Sequence, residues 1–217
     1  MSEQPFVDGI RLRLPLSDQQ TRELKVGQLV LLSGTIVTAR DSAHKWMMES
    51  FIQPNALPSQ ADLTVLTKLK HLLDGGAIYH CGPVVERLPE VGYRVLAAGP
   101  TTSSREEPYQ AEVMQFFNLK AVIGKGGMGA RTLAACQQTP AVYLHAVGGA
   151  AALIAQSINQ VTEVLKLEFG IPEAMWVLEV RDFPAMVSMD SSGSSLHDKV
   201  RKESLAELAR LFSHPSD

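Results

Sequence analysis

The sequence predicts an α/β fold with a mainly parallel central sheet and a second sheet, antiparallel or mixed. Through the middle of the chain, short apolar runs alternate with helical patterns, as in a parallel sheet with crossover helices. Toward both ends, strand-like runs follow one another without intervening helices, so they call for a sheet of another kind. The 217 residues, 45% of them hydrophobic, contain no linker, repeat or low-complexity tract, so 1–217 reads as a single domain around one core.

The elements follow in order. The segment to about Lys25 is polar and punctuated by prolines, and carries no assigned element. Residues 28–33 (QLVLLS), Gly34 and 35–38 (TIVT) read as a bent strand or strand pair. Residues 41–51 form a helical pattern that puts Trp46, Met47 and Phe51 on one face. Pro54, Asn55, Pro58 and Ser59 make 53–60 a loop. Residues 63–73 are apolar at near-helical spacing and stop at Gly75-Gly76. Residues 77–79 and 93–98 are strand-like, with a turn-rich stretch between them. A helix over 107–117 leads to a strand over 119–123, which runs into the glycine-rich 124–129, and a helix over 131–137 follows. Then come a strand over 142–147, a helix over 150–158, and strands over 161–169, 176–180 and 186–189. Residues 199–212 end the chain as an amphipathic helix.

Composition narrows the function. A formal net charge of −3 gives no basic field for nucleic acid. No apolar run approaches the roughly 18 residues of a membrane span, and residues 1–13 lack the apolar core of a signal peptide. The expectation is a cytoplasmic protein. The two cysteines, Cys81 and Cys136, have no metal-ligand spacing.

Three polar constellations stand where a strand-like run ends and a helix begins, the edge of an α/β sheet where ligands collect. In Thr35–His44, Arg40 and His44 are four apart and share a helical face; Arg40 suits a carboxylate and His44 suits proton transfer. A simple Asp41 helix cap is the plain alternative. In Ala98–Glu106, the run Thr101-Thr102-Ser103-Ser104 precedes Arg105 and a helix start, which suits an anion. Ser103 and Glu106 also fit an ordinary capping box. Gly124–Gly129 (GKGGMG) satisfies the dinucleotide pattern, but no acidic residue ends the next strand, and the P-loop spacing is missing. It reads better as a loop whose glycines admit a small ligand, with Lys125 as the charge, or as a tight turn with a solvated lysine. His80 and His145 read as satisfied structural residues. Arg40, Arg105 and Lys125, with a hydroxyl cluster and no dedicated acidic residue, suit a ligand bearing two negative charges.

The motifs TARDSAH, YHCGP, AAGPTTSSR, VIGKGGMG, HAVGGAAAL and GIPEAMWVLEVRDFP, in this order, resemble the β-subunit of class I fumarate hydratases, and the related L-tartrate dehydratase β-subunit. The resemblance implies a swivelling β/β/α domain of three layers. It implies a [4Fe–4S] cluster held by a partner α-subunit, none being bound by this chain alone, and an α2β2 hetero-oligomer. It implies that Arg40, Thr102, Arg105 and Lys125 bind the dicarboxylate and that Thr101 removes the proton at carbon, a task needing strong electrostatic help. His44 is a second catalytic candidate. Cys81 and Glu106 depart from the family's usual alanine and methionine. The expected activity is reversible hydration of fumarate to (S)-malate. The alternatives are L-tartrate dehydration, mesaconate hydration, a non-catalytic dicarboxylate-binding or regulatory module, and a dinucleotide-binding protein using GKGGMG.

Overall fold

The structure, a computed structural model, describes residues 8–89 and 92–212. In chain order its strands are β1 (Ile10–Arg13), β2 (Leu29–Thr38), β3 (Ala77–Tyr79), β4 (Val84–Leu88), β5 (Gly92–Ala97), β6 (Ala121–Gly124), β7 (Val142–His145), β8 (Ile158–Leu165) and β9 (Met175–Met189). The helices are α1 (Asp18–Glu23), α2 (Asp41–Met47), α3 (Gln60–Leu73), α4 (Glu107–Phe117), α5 (Ala130–Gln138), α6 (Ala151–Ala155) and α7 (Leu196–Phe212).

β2 organises the sheet. Its sequence is apolar at consecutive as well as alternate positions, which suits a strand covered on both faces. It lies parallel to β1 along its first half and to β3 along its second. β6 and β7 continue in parallel beyond β3. β9 runs antiparallel to β2 and also pairs with β7 and β8. The result is a seven-stranded mixed sheet, ordered β1-β2-β3-β6-β7-β9-β8, and a separate two-stranded antiparallel sheet of β4 and β5. Because β9 joins β7 to β2, the ladder β2-β3-β6-β7-β9 returns to its start.

Two hydrophobic clusters follow from the strand period of two. Ile36, Tyr79, Ile123, Leu144 and Leu178 belong to one, with Trp176, Phe183 and the hairpin residues Tyr93 and Val95. Their chain neighbours Val37, Ile78, Val122, Tyr143 and Val177 belong to the other, against Met47 of α2, Leu69 and Leu73 of α3, Met114 and Phe117 of α4, and Cys136 of α5. Helices α2 to α5 therefore cover one face of the sheet, and the β4–β5 hairpin packs on the other.

The differences from the sequence reading have local causes. The polar start hides β1 and α1; α1 is capped by Ser17, whose side chain accepts from Gln20, a capping box that the surrounding polarity obscured. The turn-rich stretch contains β4, whose Val-Val-Glu-Arg-Leu is half exposed and shows no strong alternation. The two strands expected over 176–180 and 186–189 are one strand, β9, because Asp182 takes a left-handed conformation (φ 50°) and lets the ladder pass with a shift. The helix expected over 150–158 stops at Ala155, and β8 begins at Ile158. The helix beginning at Asp41 passes into a π-helical turn over Met48–Ile52. The terminal helix α7 is exposed from Asp198 to Phe212.

Gly34 sits at the register shift between β2 and β9, with φ 114°, and a Cβ there would lie 3.1 Å from the Leu14 carbonyl oxygen and 3.2 Å from Leu14 Cβ. Both the backbone conformation and the close approach of Leu14 require glycine. Gly34→Ala is expected to lower unfolding free energy by roughly 1–3 kcal/mol, read as a lower urea midpoint with unchanged slope.

Candidate functional site

β2, β3, β6 and β7 are parallel, so Thr38, Tyr79, Gly124 and His145 end on one edge of the sheet. The segments leaving that edge begin at Ala39, His80, Lys125 and Ala146. Arg40 lies in the first, and Lys125 opens the third.

The hydroxyl run arrives from β5 in the hairpin and is fastened to this edge by backbone. Thr101 N–H donates to the His80 carbonyl (2.7 Å), Lys125 N–H to the Thr101 carbonyl (3.2 Å), and Ser103 N–H to the Lys125 carbonyl (3.0 Å). Thr102 and Lys125 are bridge partners, as are Cys81 and Pro100. Arg105 reaches across to the Asp41 carboxylate, next to Arg40. The Lys125 side chain lies against Gly148, where a Cβ would come 3.5 Å from its Cδ. Thr101, Thr102 and Lys125 are thus joined directly, and Arg105 ties them to the start of α2.

Beneath these segments runs a buried polar chain. His44 and His80 are 0% exposed and meet edge to face, with ring centroids 5.3 Å apart. His44 Nδ1 is 3.0 Å from the Arg40 carbonyl oxygen. The Oε1 position of Gln110, also buried, is 3.0 Å from His44 Nε2 and 2.8 Å from His80 Nε2. His80 Nδ1 is 2.8 Å from Ser103 Oγ, which also accepts from the Tyr143 hydroxyl at 2.8 Å. The Gly127 backbone hydrogen-bonds that tyrosine in turn. One connected series therefore touches all three sequence constellations. Burial pushes the His44 pKa down and that of His80 down to about 3.

Several sequence expectations change here. His44 offers no exposed ring nitrogen to a ligand, since both are engaged inside the protein. Ser103 does not cap a helix: α4 begins at Glu107 without a side-chain cap, and the Ser103 hydroxyl points into the buried series. Two of the three cations do have acidic companions. Arg40 Nη1 lies 3.1 Å from Glu173 Oε1, and Arg105 pairs with Asp41; among the described residues Lys125 has no carboxylate partner. Nor does GKGGMG present a helix start to a pyrophosphate. The N-terminus of α5 is filled by Glu107, which accepts from the N–H groups of Gly129 (2.8 Å), Arg131 (3.0 Å) and Thr132 (3.3 Å). The sequence reading missed Gln110 and Tyr143, and gave Ser103 and His80 only local roles. A signal for Gln110 existed: it is the polar member of a buried helical stripe with Val113, Met114 and Phe117.

Two further groups are out of balance. Thr101 Oγ1 is buried and has no hydrogen-bond partner among the described residues. Glu106 is 1% exposed, with Oε2 unpartnered among the described residues, and burial beside Asp41 pushes its carboxyl up to about 8. Both cysteines are buried, with thiols pushed up to about 12 by burial. Among the described residues no three His, Cys, Asp or Glu side chains gather as a metal site. Among the same residues no helix is long and apolar enough to cross a membrane.

Residues 2–200 match the family model described as Fumarase C-terminus. The chain is 47% identical over 206 residues to a Geobacillus stearothermophilus protein named "Putative fumarate hydratase class I", a match covering 95% of this chain and 37% of that protein. The chain thus spans little more than a third of that relative. It is 37% identical to a Methanocaldococcus jannaschii protein named "Putative L(+)-tartrate dehydratase subunit beta", with 91% of this chain and 95% of the relative covered. It is 32% identical to the L(+)-tartrate dehydratase subunit beta of Escherichia coli K12, with 95% and 91% covered.

The Glu106 environment fixes the sign of a pH effect. The folded carboxyl keeps its proton up to about pH 8 while the unfolded one releases it near the ordinary 4.5. The folded state therefore binds more protons across that window, and stability falls as pH rises through it. Glu106→Gln is expected to remove most of this slope. Urea midpoints of the two proteins should diverge in favour of the variant between about pH 5 and 8, by an amount on the order of a few kcal/mol.

Proposed function

The chain belongs to the Fumarase C-terminus family, and we propose that it is the β-type subunit of a hydro-lyase catalysing reversible hydration of fumarate to (S)-malate. The observation that carries this reading is the Thr101 hydroxyl, buried and without a partner among the described residues, on a segment hydrogen-bonded to Lys125. Buried polar groups nearly always have partners, so a hydroxyl and a neighbouring cation that lack them among the described residues support a polar, anionic ligand there.

On this reading Lys125 binds one substrate carboxylate, helped by the Thr102 hydroxyl. Arg40 and Arg105 present guanidinium groups to the other, held in orientation by Glu173 and Asp41. Thr101 Oγ exchanges the proton at the substrate carbon. On this reading the cations, Lys125 first among them, supply the electrostatic help that a threonine needs in that role. His44 acts through the Arg40 backbone and does not touch substrate. The [4Fe–4S] cluster, which would activate the substrate hydroxyl as a Lewis acid, is assigned to a partner α-subunit because a cubane wants three or four thiolates and this sequence has two cysteines. An α2β2 assembly, a single domain over 1–217, a swivelling β/β/α arrangement and a cytoplasmic location complete the proposal.

L-tartrate dehydration is the second reading. The relatives that share this chain's length, as opposed to its higher identity with part of a longer protein, are named as tartrate dehydratase β-subunits.

The test is an anaerobic pull-down of the native complex, assayed with fumarate, mesaconate and L-tartrate. Fastest turnover of fumarate, in a brown oxygen-sensitive complex and with the isolated chain inactive, is the expected result. Preference for tartrate would select the second reading, and no turnover of any of the three would leave only a binding module. In the complex, Lys125→Ala is expected to raise KM about tenfold or more with smaller loss of kcat. Thr101→Ala should lower kcat by about a hundredfold with KM little changed. Equal effects on both parameters from either variant would undo the assignment.

A further inference from the structure

The buried series leaves one question of chemistry open: which end of the Gln110 amide lies between the two histidines. Amide oxygen and nitrogen fill the same space, so the choice rests on what each neighbour can donate or accept. The same amide position lies 3.0 Å from His44 Nε2 and 2.8 Å from His80 Nε2, and the other amide terminus has no partner. His44 Nδ1 faces a backbone carbonyl, which only accepts.

If the oxygen occupied the shared position, both rings would have to donate from Nε2. His44 would then need a second proton on Nδ1 for the Arg40 carbonyl. It would be an imidazolium at 0% exposure, and burial opposes that charge. The amide NH2 would also be buried without an acceptor. If the nitrogen occupies the shared position, its two hydrogens meet two ring lone pairs. Both histidines are then neutral, with the proton on Nδ1. His44 donates to the Arg40 carbonyl, and His80 donates to Ser103 Oγ. Among the described residues this leaves the amide oxygen without a donor and the Ser103 hydroxyl hydrogen without an acceptor; both are neutral groups, and burying them costs less than burying an imidazolium.

We infer that Gln110 is a positioning residue whose amide nitrogen donates to both His44 and His80, fixing both as neutral Nδ1–H tautomers and holding the Arg40, Thr101–Ser103 and Gly124–Gly127 segments in one frame. The direction of each bond from the Arg40 carbonyl to Ser103 follows from that double donation. His80 also accepts from Thr101 N–H through its carbonyl and donates its own N–H to Ile123, so its ring orientation is coupled to the backbone that carries the orphan hydroxyl. The consequence for turnover rests on the hydro-lyase reading above; the tautomer assignment does not.

The experiment has two arms. In the full chain labelled with 15N-histidine, the two buried rings should show a protonated Nδ1 and a pyridine-type Nε2, unchanged between about pH 8 and pH 5. Nε2–H tautomers, or an imidazolium at either position, would overturn the inference without any variant being made. The second arm uses Gln110→Glu, whose carboxylate can only accept. It should move the ring protons to Nε2 and raise the His44 pKa. In the complex with the partner subunit, it should lower kcat/KM by about tenfold to a hundredfold, mainly through kcat, while far-UV dichroism stays native. Gln110→Leu, which neither donates nor accepts, should lose the tautomer preference and a similar share of kcat. If Gln110→Glu switches the tautomers but leaves kcat/KM intact, the positioning role is wrong. Wild-type tautomers as described, in a complex inert toward all three acids, would sink the hydratase reading alone.

Discussion

The buried series from the Arg40 carbonyl through His44, Gln110, His80, Ser103 and Tyr143 to Gly127 is the constraint on which the candidate site depends. Every side chain between its ends sits within the fold, where a polar group without a partner costs about 1–3 kcal/mol. Loops at a sheet edge are ordinarily the freest part of an α/β protein. Here three of them end on shared buried polar groups, so a displacement of any one leaves partners unsatisfied on the other two. That turns separate connections into a single platform.

The glycines of Gly124–Gly129 take their meaning from the same constraint. A Cβ at Gly124 would fall 1.9 Å from Ser103 Oγ and 3.1 Å from both His80 Nδ1 and the Tyr143 hydroxyl. At Gly129 it would meet the Glu107 carboxylate at 2.6 Å, and at Gly127 the His197 ring at 2.5 Å. The pattern that would admit a phosphate in another setting here admits the protein's own side chains. Glu107 supplies internally the negative charge that a nucleotide would bring to α5, and so settles what the bare motif left open.

This explains what was legible in the sequence. The parallel strands were readable because Ile36–Val37, Ile78–Tyr79, Val122–Ile123 and Tyr143–Leu144 are buried on both faces and form plain apolar runs. β1 and β4 were not, because a short, largely exposed strand carrying two charged residues, Arg11 and Arg13 in one and Glu86 and Arg87 in the other, looks like a polar loop when proline or glycine flanks it. The continuity of β9 was hidden by Arg181, Asp182 and Pro184, which locally read as a turn; only pairing with β2 along both halves makes them one strand. At the site, the sequence brought Arg40, Thr101, Thr102, Arg105 and Lys125 forward because exposed cations and hydroxyl runs are conspicuous. It gave no such prominence to Gln110, whose importance comes from two histidines distant in sequence.

The charge arrangement bears on how such a platform handles a ligand. An arginine paired with a half-buried carboxylate is held in orientation but has part of its field cancelled. Arg40 with Glu173 and Arg105 with Asp41 are therefore directional hydrogen-bond donors more than sources of net charge. Lys125, with no carboxylate partner among the described residues, supplies the local positive field, and its N–H bonds the carbonyl of Thr101, whose buried hydroxyl lacks a bond among the same residues. Glu106 fits this balance only when protonated: ionised, it would add a buried negative charge beside Asp41 and weaken the hold of Arg105 on an incoming anion. An anionic ligand thus meets orientation from the arginines and attraction from the lysine. That division works only while the buried frame keeps the two kinds of group in register.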